Sequence, residues 1–310
     1  MRPNRSPRHR WAVILAGGEG TRLLPVTKLI AGDGRPKQFC RLLTQQTLLA
    51  TTRDRLQGIA PEGQTCFLLL NAHRPFFASE VADVDPSRLF IQPLNKGTTT
   101  AIAFGLMRLR RLDGDAVVGF FPSDHDFPHS GAFVEAVQTA YEEAEHRGDR
   151  IVTIGAQATD PDVEYGWIEP GPSFGGSDRA LSRVTRFWEK PRLEVAEALF
   201  AQGCLWNTFA MVGRIEVFLN ALAFTAPQVL EALCPLASDV HVSERDLADL
   251  YEGLEAGDFS KQVLSASTQK LAVVRLKEAG WTDLGTPPRL FEAMRRSTTT
   301  DQSHAVASMR

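Results

Sequence analysis

The chain has 310 residues, of which 43% are hydrophobic and 23% are charged; 34 Lys plus Arg stand against 37 Asp plus Glu, for a formal net charge of −3. This composition is typical of a folded globular protein and excludes a disordered chain. Because the charges nearly balance, the composition gives no support for nucleic-acid binding. No apolar stretch approaches the roughly 20 residues of a membrane span, so no membrane partner is expected.

The cysteines and the chain ends indicate a cytoplasmic protein with reduced thiols. Four cysteines are far apart and form no CxxC pair: Cys40, Cys66, Cys204 and Cys234. Neither a disulfide framework nor a zinc site is expected from such spacing. Residues 1–10 contain four arginines, and the apolar run after them is too short for a signal peptide, which predicts a disordered basic leader. The polar residues 297–310 predict a frayed tail.

In the first half of the chain, short apolar runs alternate with amphipathic helical patterns. The runs predict buried strands at residues 11–15, 66–70, 89–91, 116–121 and 151–154. The helical patterns place three groups of residues each on one face: Leu48, Leu49, Thr52 and Leu56; Ile102, Leu106 and Leu109; Phe133, Val137, Tyr141 and Ala144. This alternation predicts an α/β fold with a doubly wound, mixed and mostly parallel sheet.

The second half of the chain has a different pattern. Prolines and glycines between residues 161 and 176 predict a loop-rich insertion, and residues 181–190 alternate like an exposed strand. Helices are predicted at about 192–202, 215–224, 227–234 and 244–256, followed by a strand at 271–276 and a short helix that ends near Arg296. The fold class therefore includes a loop or β insertion and a helical C-terminal part.

The motif LAGGEGTRL, residues 15–23, follows the first predicted strand. Three glycines in four positions let the backbone approach a ligand closely, and successive N–H groups could form an anion-binding concavity. Arg22 adds a planar guanidinium that suits phosphate oxygens. The motif is neither a Walker A loop nor GxGxxG. A purely structural turn and a solvated Arg22 stay open as alternatives at this point.

Two aspartates follow predicted strands and enter turns. Asp124 lies at the carboxyl end of its strand, where open α/β sheets bind ligands, and Asp283 lies between two glycines. Either could instead be a cap or a turn residue. His125 and His129 are spaced i, i+4, but Pro128 disfavours a helix there, so a two-histidine metal site is not expected.

Seven motifs carry a resemblance to a known family. They are LAGGEGTRL (15–23), PKQF (36–39), PSDH (122–125), YGWI (165–168), WEKP (188–191), LWNT (205–208) and GWTDLG (280–285). In this order and spacing, residues 11–291 resemble the sugar-1-phosphate nucleotidyltransferases, most closely the bacterial mannose-1-phosphate guanylyltransferases. The resemblance implies a Rossmann-like nucleotidyltransferase fold. It also implies an enzyme that joins mannose 1-phosphate to GTP and releases pyrophosphate and GDP-mannose.

The resemblance also assigns roles to individual residues. Catalytic roles are implied for Arg22, Lys37, Asp124, Lys190 and Asp283, and Asp124 and Asp283 are the implied ligands of Mg²⁺. Nucleotide binding is implied for Leu15, Ala16, Gly17, Gly18, Gly20, Thr21, Gln92, Gly97, Thr98 and Ser123. Binding of the sugar phosphate is implied for Tyr165, Gly166, Glu189, Lys190 and Asn207. Trp167, Trp188 and Trp206 are expected to pack in the core rather than to stack on a sugar.

The implied organisation is a single domain over residues 11–296, with an NTP-binding part at about 11–150 and a sugar-phosphate-binding part at about 151–296. The residues Lys96 and Gly97 depart from the Arg-Asn-Thr type sequence usual in relatives. The same reaction with another base or hexose is therefore an alternative, as is a non-catalytic NDP-sugar-binding regulator. The segment 26–35 is longer than in relatives and could close as a lid. A homodimer is compatible with the sequence.

Overall fold

The computed structural model describes residues 9–61, 63–174, 181–238 and 242–307, with side chains as far as residue 297. Within these residues nine strands form one sheet. The strands are β1 (Arg10–Leu15), β2 (Thr65–Leu70), β3 (Leu89–Gln92), β4 (Val117–Pro122), β5 (Ile151–Gln157), β6 (Gly166–Ser173), β7 (Leu181–Glu189), β8 (Leu205–Arg214) and β9 (Leu271–Leu276). The α-helices are α1 (Leu24–Ala31), α2 (Leu48–Arg55), α3 (Arg74–Phe77), α4 (Gly97–Leu112), α5 (Ser130–His146), α6 (Leu193–Ala201), α7 (Ile215–Thr225), α8 (Pro227–Leu233), α9 (Glu244–Glu252) and α10 (Pro287–Ala307).

The sheet is mixed, with seven of its nine strands running in one direction and β7 and β8 in the other, which confirms the predicted fold class. Its strand order is β3-β2-β1-β4-β8-β5-β9-β7-β6. β1 runs parallel to β2 and β4, and β2 runs parallel to β3. β8 is antiparallel to both β4 and β5, whereas β5 and β9 are parallel. β4 and β9 therefore point the same way and end at the same edge of the sheet.

Helices cover both faces of the sheet, as the alternation of strands and helices predicts. Successive side chains of a strand point to opposite faces. In β1, Ala12 and Ile14 belong to one core with residues of α5, and Val13 belongs to a second core with residues of α4 and α7. Phe133, Val137, Tyr141 and Ala144 of α5 are all buried, as are Ile102, Leu106 and Leu109 of α4.

Two strands differ from the sequence-based expectation. The loop-rich interpretation was wrong for residues 166–173, which form β6 at the edge of the sheet. Its pairing with β7 shifts register around Pro170, which an edge strand tolerates because proline lacks a donor. β8 was missed although it is central. Both of its faces are buried, so the sequence lacks the alternation that identifies a half-exposed strand.

The ends of the chain and two helices also differ from expectation. The leader was too long by two residues, because His9 bonds to Asp113 and Arg10 begins β1; residues 1–8 lie outside the described part. Helix α10 continues to Ala307, into residues 297–310 for which a frayed tail is predicted, through a stretch without glycine or proline. Helix α9 ends at Glu252, earlier than predicted.

The segment proposed as a lid, residues 26–35, contains most of helix α1. Pro25 stands in its first turn, where proline is favoured, and Gly32 ends it in a left-handed conformation with φ of 79°. None of the helices in the described part of the chain combines the length and apolar composition that a membrane span requires.

Candidate active site

The structure brings Asp124 and Asp283 to one edge of the sheet. Asp124 follows β4, and Asp283 lies in the turn after β9. Backbone hydrogen bonds join the two segments: Asp126 N–H donates to Thr282 O at 2.9 Å, and Thr282 N–H donates to Asp126 O at 3.2 Å. The two carboxylates therefore come from distant parts of the chain, and a short antiparallel backbone bridge holds their segments side by side.

Lys37 holds the two aspartate segments together. Its buried ammonium lies 3.4 Å from Asp124 Oδ2 and donates to the backbone oxygens of Asp283 at 2.5 Å and Leu284 at 3.1 Å. The PKQF motif thus places a positive charge beside both aspartates. A buried cation with one carboxylate and two carbonyl oxygens around it is well compensated.

Three donors converge on one oxygen of Asp283. Its Oδ1 accepts hydrogen bonds from Gly285 N–H at 2.8 Å, the Tyr165 hydroxyl at 3.3 Å and Arg289 Nη1 at 3.0 Å. Oδ2 receives none within the described residues. Burial alone would raise the pKa of Asp283, but the positive charges of Lys37 and Arg289, together with the Gly285 bond, lower it. Asp283 is therefore a carboxylate with one oxygen fixed and the other available.

His125 is held as a neutral imidazole between the two strand ends. The Trp281 indole N–H donates to its Nδ1 at 3.2 Å, and burial lowers the pKa of the ring. The proton of the neutral ring then lies on Nε2, which is 3.7 Å from Asp124 Oδ1. His129 is exposed at the start of α5, and its backbone N–H donates to Ala279 O at 3.3 Å.

The side chain of Gln38 holds the glycine loop through the loop's carbonyl oxygens, and three of the loop's N–H groups have no protein partner within the described residues. Gln38 Nε2 donates to Ala16 O at 3.1 Å and to Gly18 O at 2.7 Å. Gly20 has φ of 60°, which glycine adopts without strain. Within the described residues, the N–H groups of Gly17, Gly18 and Gly20 donate no hydrogen bond, and they remain available to an anion.

The remaining residues of this loop are placed differently. Arg22 and Thr21 are exposed, and Arg22 Nη1 donates to Glu164 Oε2 at 2.9 Å. Leu15 is half-buried, and its carbonyl accepts from both the N–H of Ser123 at 3.1 Å and its hydroxyl at 2.7 Å. Ser123, which was predicted to bind the nucleotide, therefore uses its hydroxyl hydrogen to link the end of β4 to β1.

Three of the residues predicted to bind the nucleotide, Gln92, Gly97 and Thr98, lie against α9 and the segment that follows it. The Tyr251 hydroxyl donates to Gln92 Oε1 at 3.4 Å, and a Cβ on Gly17 would lie 3.2 Å from Gln92 Nε2. Gln92 therefore directs its amide nitrogen towards the glycine loop. The Thr98 hydroxyl accepts from Phe259 N–H at 2.8 Å and keeps its own O–H as a donor.

Gly97 begins α4 in close contact with this same segment. Its φ is 78°, and a Cβ there would lie 2.2 Å from Gly257 O. The residue therefore serves a backbone approach, and no space for a ligand exists on that side of its Cα.

The five residues predicted to bind the sugar phosphate are brought together. A Cβ on Gly166 would lie 2.9 Å from Glu189 Oε2 and 3.3 Å from Asn207 Cβ. Lys190 N–H donates to Tyr165 O at 3.3 Å, and Lys190 has φ of 47°. Its exposed ammonium forms no ion pair within the described residues.

Asn207 is buried and its amide is partly used by the protein. Nδ2 donates to Ser260 Oγ at 3.4 Å, and Oδ1 accepts from Phe209 N–H at 3.1 Å. Phe209 has φ of 58° at an irregularity in the pairing of β8 with β5. Asn207 follows Trp206 in regular register, so their side chains point to opposite faces of the sheet.

The tryptophans pack against other rings and side chains, as expected. The Trp206 ring lies 4.7 Å from that of Tyr165 and 6.0 Å from that of Trp167, which is fully buried. Arg186 lies over Trp188 at 5.0 Å. Tyr165, Trp206 and Trp167 therefore form one aromatic cluster, which reaches Asp283 through the Tyr165 hydroxyl.

Several residues of the site were not found by sequence reasoning. Arg289 and Asp162 belong to no motif, and they reach the site through tertiary contacts that spacing does not reveal. Gln38 and Glu164 each stand beside a motif residue that was chosen. The only signal in the sequence is their position beside Lys37 and Tyr165. The burial or pairing of their polar groups appears only in the structure.

Comparison with known proteins places the chain in a family. A family model described as Nucleotidyl transferase matches residues 11–300. The xanthan biosynthesis protein XanB of Xanthomonas campestris pv. campestris is 31% identical over 286 residues, which cover 90% of this chain and 58% of that protein. The mannose-1-phosphate guanylyltransferase of Escherichia coli (strain K12) is 30% identical over 295 residues, which cover 91% of this chain and 59% of that protein.

A solved structure from Thermus thermophilus, described as a mannose-1-phosphate geranyltransferase, is also similar. It has a TM-score of 0.77 and 27% sequence identity, and the match covers 89% of this chain and 76% of that one. The chain spans less than two thirds of the length of the curated relatives it matches.

Proposed function

Because the chain belongs to the nucleotidyl transferase family, we propose that it transfers a nucleotidyl group from a nucleoside triphosphate to a sugar 1-phosphate and releases pyrophosphate. The substrates we propose are GTP and mannose 1-phosphate, and the product is GDP-mannose. The mannose-1-phosphate guanylyltransferase of E. coli, at 30% identity, supports that choice. The alternative is the same reaction with another base or hexose.

One observation carries the proposal. The glycine loop, with three N–H groups free of protein partners within the described residues, lies on the same sheet edge as Asp124, Lys37 and Asp283. The Tyr165 hydroxyl, which bonds to Asp283, links this edge to the segment that holds Gly166. An anion-binding loop, two carboxylates and a sugar-side group therefore adjoin one another.

The chemistry needs positioning and charge rather than a covalent intermediate. An oxygen of the sugar phosphate would attack the α-phosphorus in line, and the bond to the pyrophosphate oxygen would break. The loop N–H groups and Arg22 would bind the triphosphate, for which Arg22 must leave Glu164. Lys190 would bind the phosphate of the sugar phosphate, and Glu189 and Asn207 would bind sugar hydroxyls.

The two aspartates fit a divalent cation. The family generally uses such an ion, and we propose Mg²⁺. Asp283 offers a free Oδ2, and Asp124 shares its Oδ2 with Lys37 at 3.4 Å. Within the described residues no group of three or more His, Cys, Asp or Glu could hold a metal, so the remaining ligands would be phosphate and water oxygens. When bound, the ion would offset charge on the phosphate oxygens.

We further propose the division into an NTP-binding part at about 11–150 and a sugar-phosphate-binding part at about 151–296. Asp124 and Asp283 then come from different parts, and the reaction takes place between them. The homodimer and the cytoplasmic location stay predictions.

The proposal is tested by measuring pyrophosphate release over a grid of GTP, ATP, UTP and dTTP against several hexose 1-phosphates. The highest kcat/KM is expected for GTP with mannose 1-phosphate. A site that hydrogen-bonds a group of the base can reject a base that lacks it by a factor of about 10⁴–10⁵. Equal or higher kcat/KM with another pair would remove the guanylyl assignment and keep the class. Tight binding of GDP-mannose without pyrophosphate release from any pair would instead indicate a regulatory binder.

A further inference from the structure

Arg289, near the start of α10, contacts three groups of the candidate site at once. Its Nη1 donates to Asp283 Oδ1 at 3.0 Å, and its Nη2 donates to Asp162 Oδ2. Its guanidinium lies 4.0 Å from the centre of the Tyr165 ring. The side chain is only 16% exposed. One planar cation therefore joins a candidate metal ligand to two residues of another segment.

The second segment leads into the sugar side of the site. Asp162 O accepts from the Trp167 indole N–H at 2.8 Å, which fixes the turn between β5 and β6. The carbonyl of Tyr165 in this segment accepts from Lys190 N–H at 3.3 Å. A displacement of the segment from Asp283 would therefore also move the backbone of Lys190.

The contacts close a triangle. Arg289 and the Tyr165 hydroxyl both donate to Asp283 Oδ1, and Arg289 also lies on the face of the Tyr165 ring. Such a triangle restricts the rotation of the Asp283 carboxylate and leaves Oδ2 directed elsewhere. A guanidinium can make these contacts simultaneously because it is planar and carries five donors, whereas an ammonium is a compact point charge.

We propose that Arg289 is a positioning residue for nucleotidyl transfer: it fixes the orientation of Asp283 and holds it against the Tyr165 segment, so that the nucleotide and sugar-phosphate sites keep one relative placement. This inference rests on the proposed function. Arg289 itself contacts neither substrate, and it acts through Asp283 and Tyr165.

The test compares Arg289→Met and Arg289→Lys with the wild-type enzyme. Loss of a charge-assisted hydrogen bond is expected to lower kcat by about 10- to 100-fold in Arg289→Met. The KM for the nucleoside triphosphate should change by less than about threefold, since ground-state binding is not the affected step. Arg289→Lys should recover part of kcat, because it keeps the positive charge. The recovery should be incomplete, because an ammonium cannot bond to Asp283 and Asp162 in the same geometry. Circular dichroism and Tm establish that each variant is folded at the assay temperature.

The matched control is Arg295→Met on the same helix. Arg295 also pairs with a carboxylate, Glu292, but its side chain is 75% exposed. This control is expected to keep wild-type kcat and KM. Asp162→Asn gives a second variant, which removes the charge of one Arg289 partner and leaves Asp283 and the Tyr165 ring in place. Its loss of kcat should be smaller, and the double variant Asp162→Asn/Arg289→Met should be no worse than Arg289→Met alone.

Unchanged kcat in Arg289→Met, or additive losses in the double variant, would overturn the inference. So would a fall in kcat and Tm together with no recovery in Arg289→Lys, because that pattern belongs to a structural residue. Crystal structures of the wild type and Arg289→Met give a readout independent of activity, in which the Asp283 rotamer should change. If the wild type releases no pyrophosphate, the proposed function fails, and an unaltered Asp283 rotamer would separately overturn the positioning role.

Discussion

The Glu189 carboxyl lies against Gly166 on the sugar side of the site. Burial raises its pKa from the usual 4.5 to about 7; the charge of Asp258 adds to the shift and that of Lys190 opposes it. Between these two pH values the folded protein holds a proton that the unfolded chain has lost. The free energy of unfolding should therefore decrease as the pH rises from about 4.5 to about 7 on account of this residue.

Glu189→Gln removes this titration and tests the prediction. The variant should gain stability relative to the wild type as the pH rises, so that its Tm advantage is greater at pH 8 than at pH 5. Thermal unfolding at both pH values measures the difference. Glu194→Gln, on the exposed first turn of α6, is the control and should show the same offset at both pH values. An offset for Glu189→Gln that does not depend on pH would contradict the raised pKa.

At the scale of elements, the start of α4 depends on a contact with the segment after α9. Gly97 has φ of 78°, and a Cβ there would lie 2.2 Å from Gly257 O. Thr99 N–H donates to the same carbonyl at 3.0 Å, and Gly257 N–H donates to Lys96 O at 3.0 Å. Gly97→Ala should thus both strain the backbone and push these segments apart. We expect a loss of about 1–3 kcal/mol in the free energy of unfolding, measured by urea denaturation.

Gly131→Ala is the matched control for this prediction. Gly131 also lies in the first turn of a long helix, α5, but a Cβ there meets nothing within 4 Å. Alanine favours the helix there, so the control should be neutral or more stable by up to about 1 kcal/mol. Equal effects of the two substitutions would mean that the contact between α4 and Gly257 contributes nothing.

The same scale explains which elements the sequence could predict. β1, β2, β4 and β9 are short apolar runs between turns, and periodicity identifies them with small errors at their ends. β8 could not be found in this way, because burial on both faces removes alternation and Phe209 breaks the regular backbone. In β6, the prolines and glycines predict a loop, but a strand tolerates them because only one of its two edges is fully paired.

The candidate site was predictable only where motifs exist. The PKQF and GWTDLG motifs contain Lys37 and Asp283, and the structure brings these together through a backbone carbonyl, which no motif describes. Arg289 could not be predicted, because its role depends on the direction of α10 relative to β9. Such relations arise from packing across more than a hundred residues of chain.

At the scale of the whole molecule, one sheet connects the two parts of the chain. β4 of the first part pairs with β8, and β8 pairs with β5 of the second. Lys37, in the first part, donates to Asp283 O in the second. These contacts support the proposal of a single domain in which the catalytic edge is assembled from both parts.

The aspartate pair tests this assembly. If Asp124 and Asp283 hold one divalent cation between the two parts, Asp124→Asn and Asp283→Asn should each abolish most turnover at saturating substrates with the fold intact. EDTA should stop the wild-type reaction, and a divalent cation should restore it. The double variant should be little worse than either single one, because residues that act as a unit are not additive. Asp249→Asn, on an exposed position of α9, is the control and should leave kcat unchanged. Losses that multiply in the double variant would mean that the two carboxylates act separately, and the shared ion would have to be abandoned.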